Sequence, residues 1–94
     1  MIPEGISPGT TIGFNDRLDL EFLAERTGIE TIYIYNRLGT LVFEQDNYVN
    51  QWEGQSDDGD ILPTATYFYV IDFEGNDPVY GNQATGWVYV NREN

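Results

Sequence analysis

The sequence predicts an all-β domain of about seven short strands. Turn-forming glycine, proline, asparagine and aspartate residues recur at short intervals between β-branched and aromatic runs, and helical periodicity is nearly absent. Two runs, residues 32–35 and 67–71, are apolar on both alternating phases, which is typical of two sheets packed face to face. The simplest architecture with these properties is an antiparallel β-sandwich of immunoglobulin-like type.

Six strands are predicted in chain order, at residues 2–6, 18–22, 31–35, 41–44, 67–73 and 85–91. A seventh short strand is expected near residues 60–62 or 79–80. Residues 20–26 are the one stretch that could wind into a helix, but Thr27 and Gly28 interrupt it. We therefore interpret that stretch as the end of a strand that runs into a turn.

The turn Asn36-Arg37-Leu38-Gly39 lies between two strand-like runs and predicts a β-hairpin. Gly39 can adopt a positive φ without a Cβ clash, and Asn36 is expected to cap the turn. Arg37 has two interpretations, a solvated turn residue or a recognition cation on an otherwise acidic surface. Asn36, Arg37 and Gly39 are all candidate partner-binding residues.

Three residues have predicted structural roles. Tyr67 begins a late strand after a proline-containing corner, where a tyrosine hydroxyl can bond back to the preceding backbone. Gly54 ends the motif Trp52-Glu53-Gly54, and we expect it to have a structural role in the backbone at that point. Trp87 is expected in the core or in a cross-strand pair.

Aromatic side chains outside the core would allow carbohydrate binding, because sugar rings stack on flat exposed rings. The candidates are Trp52, Trp87, Tyr48, Tyr80 and Tyr89. A sandwich with 15% aromatic residues is expected to place most of its rings in the core, although Trp52 is also a candidate partner-binding residue. Coplanar exposed rings would favour sugar binding, and buried indoles would argue against it.

Composition predicts one small domain over residues 1–94 and disfavours several partners. Sixteen acidic residues against four arginines give a net charge of −12, so Coulomb repulsion disfavours nucleic acid and anionic lipid. The same charge favours a basic partner and a monomeric state. No run is long and apolar enough to cross a bilayer, so direct membrane insertion is not expected.

Enzymatic activity is not expected. The chain has no histidine, cysteine or lysine, which removes the usual general base, the thiolate nucleophile and the Schiff-base amine. Ser7 and Ser56 have no histidine to activate them. A glycosidase-type carboxylate pair is formally available among sixteen acids, but small sandwiches seldom hold a deep cleft.

The candidates for a metal site are Asp57, Asp58 and Asp60, which crowd one turn and offer the oxygen ligands that calcium prefers. The spacing does not match an EF-hand loop, because Gly54 and Ala65 occupy positions that need oxygen side chains. We therefore interpret this segment as a charged Asp-Gly turn. No cofactor is expected, and calcium is the alternative.

Several motifs together resemble one known family. They are, in order, IPE near the start, the hairpin turn NRLG, the motif WEG, the run LPTATYFYV, and GWVYVNR near the end. The chain resembles the gliding-motility-associated C-terminal domain of Bacteroidetes, also called the type B sorting domain of type IX secretion. The resemblance covers nearly the whole chain and implies a folded export signal without catalytic activity.

The resemblance also implies a route and partners. Cargo that carries such a domain is exported to the periplasm and recognised by outer-membrane components of the type IX machinery, including a PorP/SprF-like protein. It is then secreted or held at the cell surface. The cargo would be a large surface protein, such as an adhesin or a hydrolase, and this domain would be excised from that larger secreted precursor.

The chain departs from the family pattern in two places. Residues 7–16 stand where members commonly carry an acidic turn of the form SPNGDGxND, and the central acidic residues are replaced here. Leu38 stands where the family usually has an aromatic residue in the hairpin turn.

Arg92 is the last candidate partner-binding residue. It is either a solvated residue near the chain end or a cation that docks an acidic groove beside an edge strand. The rival function for the whole domain is an immunoglobulin-like accessory or adhesion module that binds carbohydrate or protein.

Overall fold

The described chain forms one five-stranded β-sheet and one short helix. A computed structural model describes residues 2–8 and 16–92. Its elements are β1 (Gly5–Ile6), α1 (Glu21–Arg26), β2 (Ile29–Tyr35), β3 (Leu41–Asp46), β4 (Ala65–Asp77) and β5 (Gly81–Val90). The strand order is β1-β5-β4-β2-β3, with β1 parallel to β5 and the other neighbours antiparallel.

The two faces of the sheet differ in burial, because side chains alternate along each strand. The core face includes the buried side chains Ile32, Ile34, Phe43, Tyr67, Tyr69, Ile71, Phe73, Ala84, Val88 and Val90. A second layer packs on this face and contributes Leu18, Leu20, Leu23, Tyr48 and Trp52 to the same hydrophobic cluster. The predicted all-β class and its sandwich-like arrangement are therefore confirmed.

The second layer is built differently from the sheet. Within the described chain it consists of α1 and the loops of residues 16–28 and 47–64. Its one ladder-type contact among those residues is a single bridge between Gln55 and Ile61. Four of the six predicted strands overlap β2, β3, β4 and β5, although β4 ends four residues later and β5 begins four residues earlier than predicted. The predicted strand at residues 2–6 is shortened to β1. Val79 and Tyr80, one of the two places expected for a seventh strand, lie in the turn between β4 and β5.

The interpretation of residues 20–26 as a strand end is wrong, and so is the predicted strand at residues 18–22. The chain there forms α1, which spans Glu21–Arg26. Leu20, the residue before the helix, and Leu23 in its first turn lie three residues apart, and both are fully buried in the core. Six residues are too few for a stable isolated helix, so packing of these leucines stabilises α1. A helix this short is also too short to show a helical periodicity in the sequence.

Gly28 ends the helix rather than preventing it. Its N–H donates to the carbonyl of Leu23 at 2.9 Å, and its φ of +89° is the left-handed conformation that commonly follows a helix. The Thr27-Gly28 pair is therefore the C-terminal boundary of α1.

Asp77 connects α1 to the turn after β4. Its buried carboxylate accepts two hydrogen bonds from the Arg26 guanidinium, at 2.9 and 2.8 Å, and one from the Thr27 hydroxyl at 2.5 Å. The backbone N–H groups of Val79 and Tyr80 donate to the same carboxylate. These donors, Arg26 first, hold the pKa of Asp77 well below its usual range in spite of burial.

Tyr48 connects two loops inside the second layer. Its fully buried hydroxyl donates to the carbonyl of Leu18 at 2.6 Å and accepts from the N–H of Trp52 at 3.0 Å. Burial raises the pKa of this hydroxyl well above its ordinary value, so it stays protonated and able to donate. This one side chain therefore satisfies two backbone groups that are out of reach of water.

Candidate functional site

A row of aromatic side chains crosses the open face of the sheet, which is the face opposite the core. Tyr35 of β2 pairs with Phe68 of β4, and Phe68 pairs with Trp87 of β5. The ring centroids are 6.5 Å apart in the first pair and 5.0 Å apart in the second. Trp87 is 55% exposed, so the row ends in an indole that a partner can reach.

The row forms the floor of a groove of about 470 Å³. We call it the aromatic groove, and its lining residues are Tyr35, Asn36, Arg37, Gly39, Phe68, Val70 and Trp87. The structure therefore brings the three predicted hairpin residues together with Trp87, which is 50 residues from Arg37 in the chain. Antiparallel pairing of β2, β4 and β5 produces this contact.

The hairpin turn at the rim of the groove is held by hydrogen bonds within the turn. The side-chain oxygen of Asn36 accepts from the N–H groups of Leu38 and Thr40, at 2.9 and 3.0 Å, as expected for a turn cap. Gly39 has a φ of +84°, the left-handed conformation predicted for it. Arg37 forms no ion pair within the described residues, so its charge is available at the rim.

Carboxylates of β3 and β4 occupy the open face further along the sheet. Glu44, Asp46 and Asp72, which we call the acidic strip, lie around Tyr33 and Thr31 in the sheet register. Burial raises the pKa of the Tyr33 hydroxyl, and the negative charges of the strip raise it further. The open face therefore has an aromatic end and an acidic end.

The two tryptophans have opposite environments. Trp52 is fully buried, with its ring against Phe43 at 6.3 Å and against Tyr67 at 5.8 Å, so it cannot present its ring to a partner. Trp87, which we expected in a structural role, makes the predicted cross-strand pair but is exposed on the open face. The candidate site for a partner thus moves from Trp52 to Trp87.

Arg92 is half-buried and hydrogen-bonds to the backbone of the domain. Its guanidinium donates to the carbonyls of Leu62 and Gly54, each at 2.5 Å, and to that of Glu53 at 3.3 Å. Gly54 has a φ of +85°, and a Cβ at that position would lie 2.6 Å from the guanidinium. The geometry explains why the chain needs glycine there, and it gives Arg92 a structural role.

Tyr67 has the geometry of a corner tyrosine. Its hydroxyl donates to the carbonyl of Pro63, four residues upstream, at 2.7 Å. The ring itself is buried between the sheet and the second layer, where it contacts Trp52. The hydrogen bond to Pro63 anchors the loop that leads into β4.

The acidic turn does not form a cluster of ligands. Asp57 accepts a hydrogen bond from the backbone N–H of Glu44 at 3.2 Å, and Asp60 is bonded through its N–H to Ser56. Across residues 2–8 and 16–92, no three acidic side chains converge closely enough to hold a metal ion, Asp57, Asp58 and Asp60 included. Residues 7–16 stand where the family has its acidic glycine turn, and residues 9–15 of that segment lie outside the described residues.

Sequence reasoning missed Tyr35 and Phe68 as members of the site. Both lie in runs that are apolar on both phases, which we interpreted as core on either side. The alternation within those runs could have revealed them. Tyr35 and Phe68 each follow a buried residue, Ile34 and Tyr67, and therefore point to the opposite face of the sheet. The site offers rings, an amide and a guanidinium, which can bind a partner by stacking and hydrogen bonding.

Among the described residues, no helix is both long and apolar enough to cross a membrane. A search of curated proteins finds no significant match, and a search of solved structures finds none either. The family model for the CHU_C Type IX secretion signal domain matches residues 1–90 of the 94. This chain therefore belongs to the CHU_C Type IX secretion signal domain family.

Proposed function

We propose that this domain is a non-catalytic sorting signal that outer-membrane components of the type IX machinery recognise as a folded unit. The observation that carries the proposal is the family match over residues 1–90. Membership of the family implies interaction with the type IX machinery and a secreted or surface-exposed cargo. The finer proposal is that a PorP/SprF-like outer-membrane protein is the direct partner.

The physical properties of the chain support this role. Recognition needs a stable surface with an accessible anchor, and the aromatic groove supplies one at Trp87, which is 55% exposed. A net charge of −12 favours solubility in transit through the periplasm. Neither requirement involves a catalytic group, in keeping with a chain that has no histidine, cysteine or lysine.

The proposal extends to the precursor. In this proposal, residues 1–94 are the sorting portion of a larger secreted precursor, which is a cell-surface adhesin or a secreted hydrolase. The family match supports the sorting role, and the resemblance to gliding-motility-associated domains supports the choice of cargo.

A reporter fusion tests the function. A fluorescent protein with an ordinary signal peptide is fused in front of residues 1–94 and expressed in a Bacteroidetes host. We expect the reporter at the cell surface or in the medium, and we expect periplasmic retention in a strain that lacks the PorP/SprF-like protein. If the fusion stays in the periplasm while a sorting domain already known to work in that host exports the same reporter, the proposal fails.

One observation also fits the rival function, an accessory module that binds carbohydrate or protein. The exposure of Trp87 is also what an accessory module that binds sugar would need. However, the Phe68 ring is inclined by 62° to Trp87 and by 42° to Tyr35, so the row is not the coplanar platform that favours sugar stacking. Specific binding to a glycan array that disappears in Trp87→Ser would support this rival.

A further inference from the structure

We propose that the open face of the sheet binds an extended, cationic segment of a partner protein. One apolar side chain of that segment lies in the aromatic groove, and its lysine or arginine side chains lie over the acidic strip. The inference rests on the proposed function in one respect, namely that the partner belongs to the type IX machinery.

The sheet register sets the geometry of this surface. The first row across the open face is the aromatic row, which ends at Trp87. The second row contains Glu44 beside Tyr33, and the third contains Asp46 and Asp72 on either side of Thr31. Because one strand residue advances about 3.3 Å, the second and third rows lie roughly 7 and 13 Å from the first.

The carboxylates of the strip have no cationic partner among the described residues. The Thr31 hydroxyl donates to Asp46 at 2.9 Å, and the Gln83 amide donates to Asp72 at 2.8 Å. These neutral donors orient the carboxylates without neutralising them. None of the strip residues forms a salt bridge within the described part of the chain, so a basic partner gains attraction that the domain itself does not use.

The spacing of the rows predicts the pattern of the partner. An extended segment repeats its side-chain direction every two residues and advances by the same distance as the strands below it. An apolar residue over the groove therefore places cations two and four residues further along over the second and third rows. The expected pattern is apolar, any residue, cation, any residue, cation.

Charge also disfavours the other occupants of this face. A second copy of the chain carries the same net charge of −12, so the two molecules repel each other. Anionic headgroups are repelled for the same reason. An extended basic segment can place an apolar side chain in the aromatic groove and its cations over the acidic strip.

A peptide titration tests the inference on the full 94-residue chain, independently of export. The probe is a blocked heptapeptide in which threonine alternates with one phenylalanine and two lysines, in that order. The matched probe has glutamine in place of both lysines. Backbone amide shifts of the ¹⁵N-labelled protein are expected to move in β2, β4 and β5, with the lysine peptide at least about fivefold tighter at low salt.

Two pairs of variants locate the site. Trp87→Ser is expected to weaken the lysine peptide by about tenfold, whereas Tyr89→Ser, an exposed ring outside the groove, leaves it unchanged. The pair Glu44→Gln and Asp72→Asn is expected to remove the preference for lysine. The control pair, Glu25→Gln and Asp19→Asn, makes the same change in charge at exposed positions away from the strip.

Each outcome decides the inference. Equal binding of the two peptides, no shift with either at millimolar concentration, or dimerisation through Trp87 would overturn it. In the reporter assay, an unmodified domain that exports while the Trp87 and strip variants export equally well would refute the inference and leave the sorting function intact. An unmodified domain that does not export would refute the sorting function, and the titration would still decide the surface.

Discussion

The buried hydroxyl of Tyr48 permits a quantitative test of how the second layer is held together. Tyr48→Phe keeps the ring and removes the single oxygen that bonds the carbonyl of Leu18 at 2.6 Å and the N–H of Trp52 at 3.0 Å. Both backbone groups then lose a partner at a site where Tyr48 and Trp52 have no exposed surface. The loop carrying Leu18 and the loop carrying Trp52 lose their side-chain connection.

The expected magnitude follows from counting those groups. A buried polar group left without a partner costs about 1–3 kcal/mol, so two such groups lower the free energy of unfolding by about 2–4 kcal/mol after partial relaxation. For a domain of this size, about 1 kcal/mol corresponds to a decrease in Tm of roughly 4–8 °C. We therefore expect Tyr48→Phe to lower Tm by at least about 8 °C.

Tyr67→Phe is the matched control, because the Tyr67 hydroxyl has one partner, the Pro63 carbonyl, in a half-buried position. Its removal is expected to cost about 1 kcal/mol. Thermal unfolding followed by circular dichroism compares the two variants at the same pH and protein concentration. A decrease for Tyr48→Phe no larger than that for Tyr67→Phe would show that the two buried bonds do not stabilise the second layer as argued.

Three further predictions concern charge, backbone and surface. Because the folded pKa of Asp77 lies below its ordinary value of 3.8, its contribution is present above that pH and lost as pH falls through the folded pKa. The stability difference between the wild type and Asp77→Asn should therefore be constant in urea titrations from neutral pH to about pH 5 and narrow below about pH 4; a gap that widens on acidification contradicts this sign. Gly54→Ala is expected to lower the free energy of unfolding by roughly 1–3 kcal/mol, and by more than Gly39→Ala does. Both glycines have a positive φ, but only a Cβ at Gly54 would meet the Arg92 guanidinium. Equal urea midpoints for the two variants would exclude that clash. Trp87→Ser is expected to change the free energy of unfolding by about 1 kcal/mol or less, because the side chain is 55% exposed; a much larger loss in the same assay would assign it to the core.

Local patterns predicted the elements whose structure depends on neighbouring residues. The hairpin turn at Asn36 and Gly39 follows from a side chain that caps its own turn and a glycine that tolerates positive φ. Four strands were predicted at nearly correct positions for the same reason: β-branched and aromatic runs ended by turn residues. The all-β class required no long-range information.

Helix α1 was not predictable in this way. Its six residues contain a single buried position, Leu23, and its boundary glycine, Gly28, also suits a turn. The helix depends on core contacts of Leu23 and on the bonds between Arg26 and Asp77, which is 51 residues further along the chain. A sequence window that contains only one of those partners carries no sign of the other.

The sequence by itself determined the all-β class, the positions of the main strands, the hairpin and the strongly acidic character of the domain. Only the tertiary structure decided that Trp52 is buried, that Trp87 is exposed and that Arg92 bonds to backbone carbonyls. The physical reason is that strand alternation defines two faces without saying which one a second layer covers. That choice is made by loops distant in sequence, and it leaves the aromatic groove open to a partner.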